Sequence, residues 1–354
     1  MSIDKARNGH MSAAILYGVE DLKIETVDIP TIAEDEVLVR VKVALTCGTD
    51  LKVWKRGYHA RMIQPPALFG HELAGVIEET GSRVNGGFRA GMRVFPANSA
   101  PCNSCFYCKK GQPNLCEDLL FNNGAYAEYI RIPGRIVQQN MLEIPDGVSF
   151  QDAAMAEPLA CVLRGIHETG IQAGDTAVVI GCGAIGLKFI RILAQRKVRV
   201  IAIGKRKNQM EIASRLGAVA TFDVEQFPNP VAAIQQLTEG GRGADAVIEA
   251  VGRAETWEWA LQMVRKGGTV NLFGGCPSGT EVKIDPAALH YAEITIKSTF
   301  HHTPRFIREA LDTIARGEIR ASDFVTGEVN LDELPRVFQD MKNRNGELKT
   351  AVIP

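Results

Sequence analysis

The 354-residue chain has almost no imbalance of charge, with 40 lysines and arginines against 41 aspartates and glutamates and a formal net charge of −1. Without an excess of either sign, neither a nucleic acid nor a charged membrane surface is expected as its partner. It also lacks an apolar run long enough to span a bilayer, and its opening MSIDKARNGH lacks the apolar centre of a secretory signal. A soluble, cytoplasmic protein is expected. No repeat or low-complexity segment interrupts the chain. Its length suits two domains whose cores hold without cross-links. Of eight cysteines, four fall between Cys102 and Cys116. In a reducing compartment that clustering favours metal over disulfides.

What is present centres on residues 176–207. Thr176-Ala-Val-Val-Ile180 is a short apolar run ending in Gly181-Cys-Gly-Ala-Ile-Gly186, after which Ile185, Phe189, Ile192 and Leu193 recur at helical spacing. This reads as strand, glycine turn and helix. A second apolar run, Val198 to Ile203, follows at the distance of the next parallel strand and ends in Gly204-Lys-Arg-Lys207. Gly181, Gly183, Ala184, Ile185 and Gly186 are the expected cradle for a dinucleotide pyrophosphate, whose charge would face the free N–H groups of the helix start. The competing reading is a tight turn with no ligand.

Along the chain, residues 1 to about 12 read as a loose tail. Ala13–Tyr17, Leu22–Glu25, Val37–Val43, Ala74–Ile77, Arg93–Phe95 and Tyr126–Ile132 read as short strands. From about Phe150 the texture turns helical, through Glu157 to Glu168, and then alternates between strand and helix through Ala246–Gly252, the helix of Trp257 and Trp259, and Gly268–Gly275. A helix over Arg305–Ala315 and a strand over Lys349–Ile353 close the chain. The fold class is α/β: a doubly wound, Rossmann-type parallel sheet over 159–297, and a mostly-β domain over 1–158 that the closing residues 298–354 complete.

Cys102-x2-Cys105-x2-Cys108-x7-Cys116 puts four soft ligands in one loop, as a closed, tetrahedral, structural zinc requires. An iron–sulfur cluster or an uncoordinated group of thiols competes with that reading.

Cys47-Gly-Thr-Asp50, Gly70-His-Glu-Leu-Ala-Gly75, the four-cysteine loop, Ala156-Glu-Pro-Leu-Ala160 and the Gly181 turn occur together and in order. In these the chain resembles the zinc-dependent medium-chain alcohol and polyol dehydrogenases, near the sorbitol and threonine dehydrogenase branch, over nearly all of residues 13–354. The resemblance implies that the first domain is GroES-like and catalytic. It also implies a catalytic zinc held by Cys47, His71 and Glu157, with Glu72 able to exchange as a ligand, and a fourth position open to an alcohol oxygen. Thr49 stands at the family's proton-relay position, and Asp50 is expected to support the loop. Hydride would pass from the alcohol carbon to the nicotinamide.

An acid at the end of the second strand would bind the adenosine ribose and repel a 2′-phosphate. That position is Gly204, followed by Lys205 and Arg206, which suit such a phosphate, so NADP is expected ahead of NAD. Val251 and Phe273 complete the expected cofactor residues. Glu157, where the simple-alcohol branch has cysteine, points to a secondary alcohol of a polyol, sugar, cyclitol or amino alcohol. Lys52 and Phe300-His301-His302-Thr303 depart from the sorbitol pattern and turn the expectation away from sorbitol itself. His301 and His302 are candidates for substrate contact, and Trp54 for a cleft wall or plain packing. Residues 294–300 resemble the strand through which family members pair, so a homodimer or homotetramer is expected. The alternatives are a zinc-free quinone or enoyl reductase, or a non-catalytic cofactor sensor.

Overall fold

The computed structural model describes residues 9–226, 230–343 and 347–354. The chain divides into two compact units, one of residues 1–158 and 303–354, the other of 159–302. Residues 298–302 therefore belong with the second unit rather than with the closing segment. Strand Thr295–Ser298 pairs with Val264–Leu272, and Thr299 donates from Oγ1 to Asn271 Oδ1 at 3.2 Å.

The first unit is mainly sheet. Among the described residues, its larger sheet runs in the order Met141–Glu143, Arg93–Pro96, Leu73–Thr80, Val37–Leu45, Thr350–Ile353, Gly327–Asn330, with Tyr129–Ile132 also paired to Val37–Leu45. A smaller sheet sets His10–Gly18 between Asp21–Asp28 and Ala67–Leu68. Val37, Val39 and Val41 bury one face of the central strand, in a core shared with Phe69, Tyr126 and Phe338. Burial of such side chains contributes about 1.5–3 kcal/mol each. Trp54 belongs to that core, 1% exposed and 5.7 Å from the Phe338 ring, so the packing reading holds and it is no cleft wall.

Three expectations need correcting here. The first strand begins at His10, so only residues 1–8 of the expected tail lie outside the described residues. The run from Tyr126 is a strand only from Tyr129, because Tyr126 is drawn into the interior instead. Gly48–Arg56, read only as a motif, is a helix capped at its end by Gly57 in the left-handed region, φ 84°.

The second unit holds a parallel sheet whose strands, among the described residues, run Ala218–Asp223, Arg199–Gly204, Thr176–Ile180, Ala244–Glu249, Val264–Leu272, Thr295–Ser298. In order of appearance that is 3-2-1-4-5-6, the doubly wound arrangement, with the reversal of order beside Thr176–Ile180. Ligands bind outside the strand ends at such a reversal. Thr176–Ile180 is almost wholly buried, as a strand covered on both faces must be, and its apolar, β-branched composition follows from that. Among the described residues no helix is long and apolar enough to cross a membrane.

The glycine turn leaves this central strand at Gly181, which has φ +105° and no room for a side chain, since a Cβ would lie 2.7 Å from Val251 Cγ2. A Cβ on Gly186 would lie 1.7 Å from the Gly181 carbonyl oxygen, so the helix Ala184–Gln195 can start this close only with glycine there. Gly186→Ala should therefore force the helix off the strand, destabilise the protein by about 2–3 kcal/mol and weaken dinucleotide binding. Thermal unfolding and a dinucleotide titration would check both. An unchanged midpoint with unchanged affinity would contradict the packing argument.

Candidate active site

Three stretches of the first unit converge because backbone bonds tie them. Leu45 N–H donates to Glu72 O at 2.9 Å, Thr46 N–H to Thr350 O at 3.0 Å, and Thr350 N–H to Thr46 Oγ1 at 2.8 Å. The chain leaving Leu45 thus delivers Cys47 beside His71 and Glu72. Ligand atoms of Cys47, His71 and Glu72 lie within 4.8 Å of one another. Cys47 caps the helix Gly48–Arg56, and its Sγ accepts from Thr49 N–H at 3.4 Å.

His71 is buried, and its Nδ1 lies 2.8 Å from Asp50 Oδ1. The contact is one of charge and distance more than of aligned hydrogen-bond geometry. It would leave Nε2 to face a metal and hold the ring, as a carboxylate behind a metal-binding histidine does. Asp50 Oδ2 in turn accepts from Tyr126 OH at 2.6 Å. Gly70, at φ +90°, makes room for that tyrosine, since a Cβ there would lie 2.5 Å from the Tyr126 ring. Burial lowers the affinity of His71 for a proton, but the charges of Asp50 and Cys47 outweigh it and hold the imidazole well above its ordinary pKa. The Tyr126 hydroxyl is pushed well above the usual phenol range by burial and by Asp50.

Glu72 has no exposed surface, and one carboxylate oxygen is paired with the ammonium of Lys349. Lys349 is itself buried and donates to Thr46 O at 2.6 Å. The other oxygen of Glu72 has no hydrogen-bond partner among the described residues. Glu157, in the first turn of the helix Ala156–Thr169, is buried but stands outside the tight group of Cys47, His71 and Glu72. Burial chiefly, with Glu72 and Asp50 adding, pushes its carboxyl up to about 7 against the opposing pull of His71 and Lys349. The buried set therefore holds three acidic side chains, Asp50, Glu72 and Glu157, beside Lys349 and His71, with the half-buried thiol of Cys47 next to His71 and Glu72. A dication is the group that balances such a set, and thiolate, imidazole and carboxylate are its usual ligands. The residues present fit zinc.

Tyr126 and Lys349 went unrecognised in the sequence, and Asp50 was read only as loop support. The one available signal was a lone polar residue beside apolar ones, Tyr126 between Ala125 and Ala127 and Lys349 opening the closing strand, which itself starts one residue later at Thr350.

Ligand atoms of Cys102, Cys105, Cys108 and Cys116 also lie within 4.8 Å of one another, with Cys105 and Cys116 sulfurs 3.9 Å apart. Tetrahedral zinc with bonds of about 2.3 Å needs sulfurs about 3.8 Å apart. Hydrogen bonds from Ser104 and from Cys105 N–H pull Cys102 down to about 6, whereas desolvation and neighbouring cysteines push Cys108 up to about 12. Four thiolates this close would repel, so all four ionise together only around a cation.

In the second unit, a Cβ on Gly183 would meet nothing within 4 Å, so backbone is open to a ligand where the helix begins. Ala184 and Ile185 are half-buried, and Val251 is exposed at 36%. Phe273 packs edge-on against Phe189, ring centroids 5.0 Å apart, which makes it part of the helix packing as well as a cofactor candidate. Gly204 is buried at the end of its strand, with Lys205 exposed and Arg206 capping the next helix, Lys207–Arg215. One residue not foreseen is Glu249, fully buried. Its Oε1 accepts from Val251 N–H at 2.8 Å, Gly252 N–H at 2.9 Å and Thr256 Oγ1 at 2.8 Å, and its backbone oxygen accepts from Phe273 N–H at 3.0 Å. It ties together the two loops that carry Val251 and Phe273. His302 is buried and His301 half-buried at φ 68°, their segment held by Arg164 Nη1 donating to Phe300 O at 2.6 Å and His301 O at 2.9 Å.

Asp50→Asn should lower zinc affinity about 10- to 100-fold while leaving the fold intact, because the amide oxygen still accepts from Tyr126. Competition against a calibrated chelator measures it, and an unchanged affinity would remove Asp50 from the metal site.

Two family descriptions match: "Alcohol dehydrogenase GroES-like domain" over residues 33–146 and "Zinc-binding dehydrogenase" over residues 184–316. A D-xylulose reductase A of Aspergillus clavatus is 30% identical over 348 residues, 96% of this chain and 95% of its own. The sorbitol dehydrogenase of Bacillus subtilis is 29% identical over 353 residues, 98% of each chain. Among solved structures, a zinc-binding dehydrogenase of Sinorhizobium meliloti 1021 bound to NADP is 32% identical, with a TM-score of 0.88, covering 98% of this chain and 99% of its own. With both domain types matched in order and this identity along the whole length, the chain belongs to the zinc-dependent medium-chain alcohol and polyol dehydrogenases and is an oxidoreductase.

Proposed function

We propose that the chain is an NADP-preferring dehydrogenase that interconverts a secondary alcohol of a polyol, sugar, cyclitol or amino alcohol with its ketone, holding two zinc ions per chain. The observation that carries the reading is the grouping of Cys47, His71 and Glu72 within 4.8 Å in a buried set where carboxylates outnumber ammonium groups. The xylulose and sorbitol named for the relatives are of this substrate class.

Cys47, His71 and one of the carboxylates Glu72 and Glu157 would hold the catalytic ion, which supplies Lewis acidity toward an alcohol oxygen. Asp50 keeps the His71 ring in the orientation that presents Nε2. Lys349 holds Glu72 by one oxygen and leaves the other for exchange. Thr49 is exposed at the start of its helix, two residues from Cys47, and there its hydroxyl can hand a proton from the alcohol toward solvent. Cys102, Cys105, Cys108 and Cys116 would hold the second, structural ion. The Gly181–Gly186 turn would take the pyrophosphate on the N–H groups of the helix start, while Lys205 and Arg206 take the 2′-phosphate. NADP in the Sinorhizobium relative agrees with that assignment. Pairing into a homodimer or homotetramer is supported by strand Thr295–Ser298, which among the described residues pairs on one side only and is largely exposed.

Metal analysis should return two zinc ions per chain for the unaltered protein, and one for Cys47→Ser and for Cys105→Ser separately. Cys47→Ser and Glu157→Ala should abolish turnover while dinucleotide binding is retained. One zinc throughout, or full turnover of the chelated protein, would sink the two-ion reading. Arg206→Ala should raise the dissociation constant of NADP about tenfold or more and leave that of NAD nearly unchanged; equal losses would remove the basis for preferring NADP.

A further inference from the structure

We propose that Glu225 is a specificity residue whose carboxylate competes with the 2′-phosphate of NADP for Lys205 and so limits the preference for NADP over NAD. The inference rests on the reading of Lys205 and Arg206 as the 2′-phosphate site.

Residue 204 itself carries no side chain with which to discriminate between the two dinucleotides. A Cβ on Gly204 would lie 3.0 Å from both Cys182 Sγ and Met210 Cγ, so an acidic side chain there needs these neighbours to give by a few tenths of an ångström. Selection between a ribose hydroxyl and a ribose phosphate then falls to side chains bordering the turn. The neighbouring strand Ala218–Asp223 supplies them, since Asp223 lies opposite Gly204 in register and Val224 N–H donates to Gly204 O at 3.0 Å.

Asp223 is not the competitor. Its Oδ1 accepts from Glu225 N–H at 2.9 Å and its Oδ2 from Gln226 Nε2 at 3.0 Å, so both oxygens are engaged in the turn that follows its strand. That turn carries Glu225 to Lys205, where Oε1 and Nζ lie 2.5 Å apart with both side chains more than half exposed. Exposed ion pairs of this kind are weak and easily exchanged. An arriving phosphate, with a charge of about −1.5 to −2, can take the ammonium, but it must displace Glu225 and then lie beside a carboxylate of its own sign. NAD makes no such demand, and Glu225 can stay on Lys205 while it binds. Glu225 therefore penalises NADP selectively, without touching the pyrophosphate turn.

The test is a titration of NADP and of NAD into the full-length protein, following intrinsic fluorescence, for Glu225→Gln, Glu225→Lys, Lys205→Ala and the double variant Glu225→Gln with Lys205→Ala. Glu225→Gln should tighten NADP relative to NAD about three- to tenfold, and Glu225→Lys should tighten it further. The gain should shrink at 1 M salt, where the screening length falls to about 3 Å. It should also shrink in the Lys205→Ala background, as coupling through that residue requires. If Glu225→Gln leaves the ratio of affinities unchanged, or tightens both dinucleotides equally, while Lys205→Ala still weakens NADP, the role of Glu225 is overturned and the phosphate site stands. If neither Lys205→Ala nor Arg206→Ala changes the ratio, the phosphate site itself is wrong and this inference falls with it.

Discussion

Buried charge packed at close quarters is the constraint on which the first unit depends. Asp50, Glu72, Glu157, His71 and Lys349 are all removed from water, and without an ion their charges balance only through a protonated His71 beside Lys349 and a Glu157 carboxyl pushed up to about 7. Each buried ion costs several kcal/mol unless it is paired. A dication among the ligand atoms of Cys47, His71 and Glu72, which lie within 4.8 Å of one another, would take the place of those protons. Elements that look merely structural follow from this need. Gly70 gives space to Tyr126, Tyr126 bonds Asp50, and Asp50 orients His71.

In the second unit the corresponding constraint is steric. The glycine turn, the proposed dinucleotide site, depends on Gly181, Gly183 and Gly186 for different reasons: a left-handed backbone, an open approach, and contact between helix start and strand end. Glu249 then fixes the two neighbouring loops from beneath, its carboxylate accepting from Val251, Gly252 and Thr256 and its backbone oxygen from Phe273. One unit is thus organised by buried charge that a metal would balance, the other by the absence of side chains where helix start and strand end meet.

Most elements could be read from the chain because their patterns are local. The apolar run Thr176–Ile180 and the spacing of the following helix stand out by themselves, and four cysteines within one short loop carry their own geometry. Elements whose form depends on distant partners were missed or misread. Gly48–Arg56, for which no element was read, carries few apolar residues and forms a helix with Cys47 as its cap, while Tyr126 leaves the strand pattern, its hydroxyl bonded to Asp50, 76 residues away. The return to the first unit was placed at 298 rather than 303, because the bonds that hold residues 299–301 to the second unit come from Asn271 and Arg164, distant in sequence.

The candidate site residues show the same division. Family motifs in the chain named Cys47, His71, Glu72 and Glu157 as candidates, since residue type and order along the chain are carried by composition and resemblance alone. Which of them gather, and what holds them, was decided by folding: the tight group contains Glu72 and leaves Glu157 at its margin, and Lys349 reaches Glu72 across 277 residues of sequence. Residue types, glycine turns and cysteine spacings are properties of neighbours in the chain, and the sequence alone determined them. Burial, charge balance and the pairing of Lys349 with Glu72 or Glu225 with Lys205 depend on which segments pack together, so only the tertiary structure could settle them.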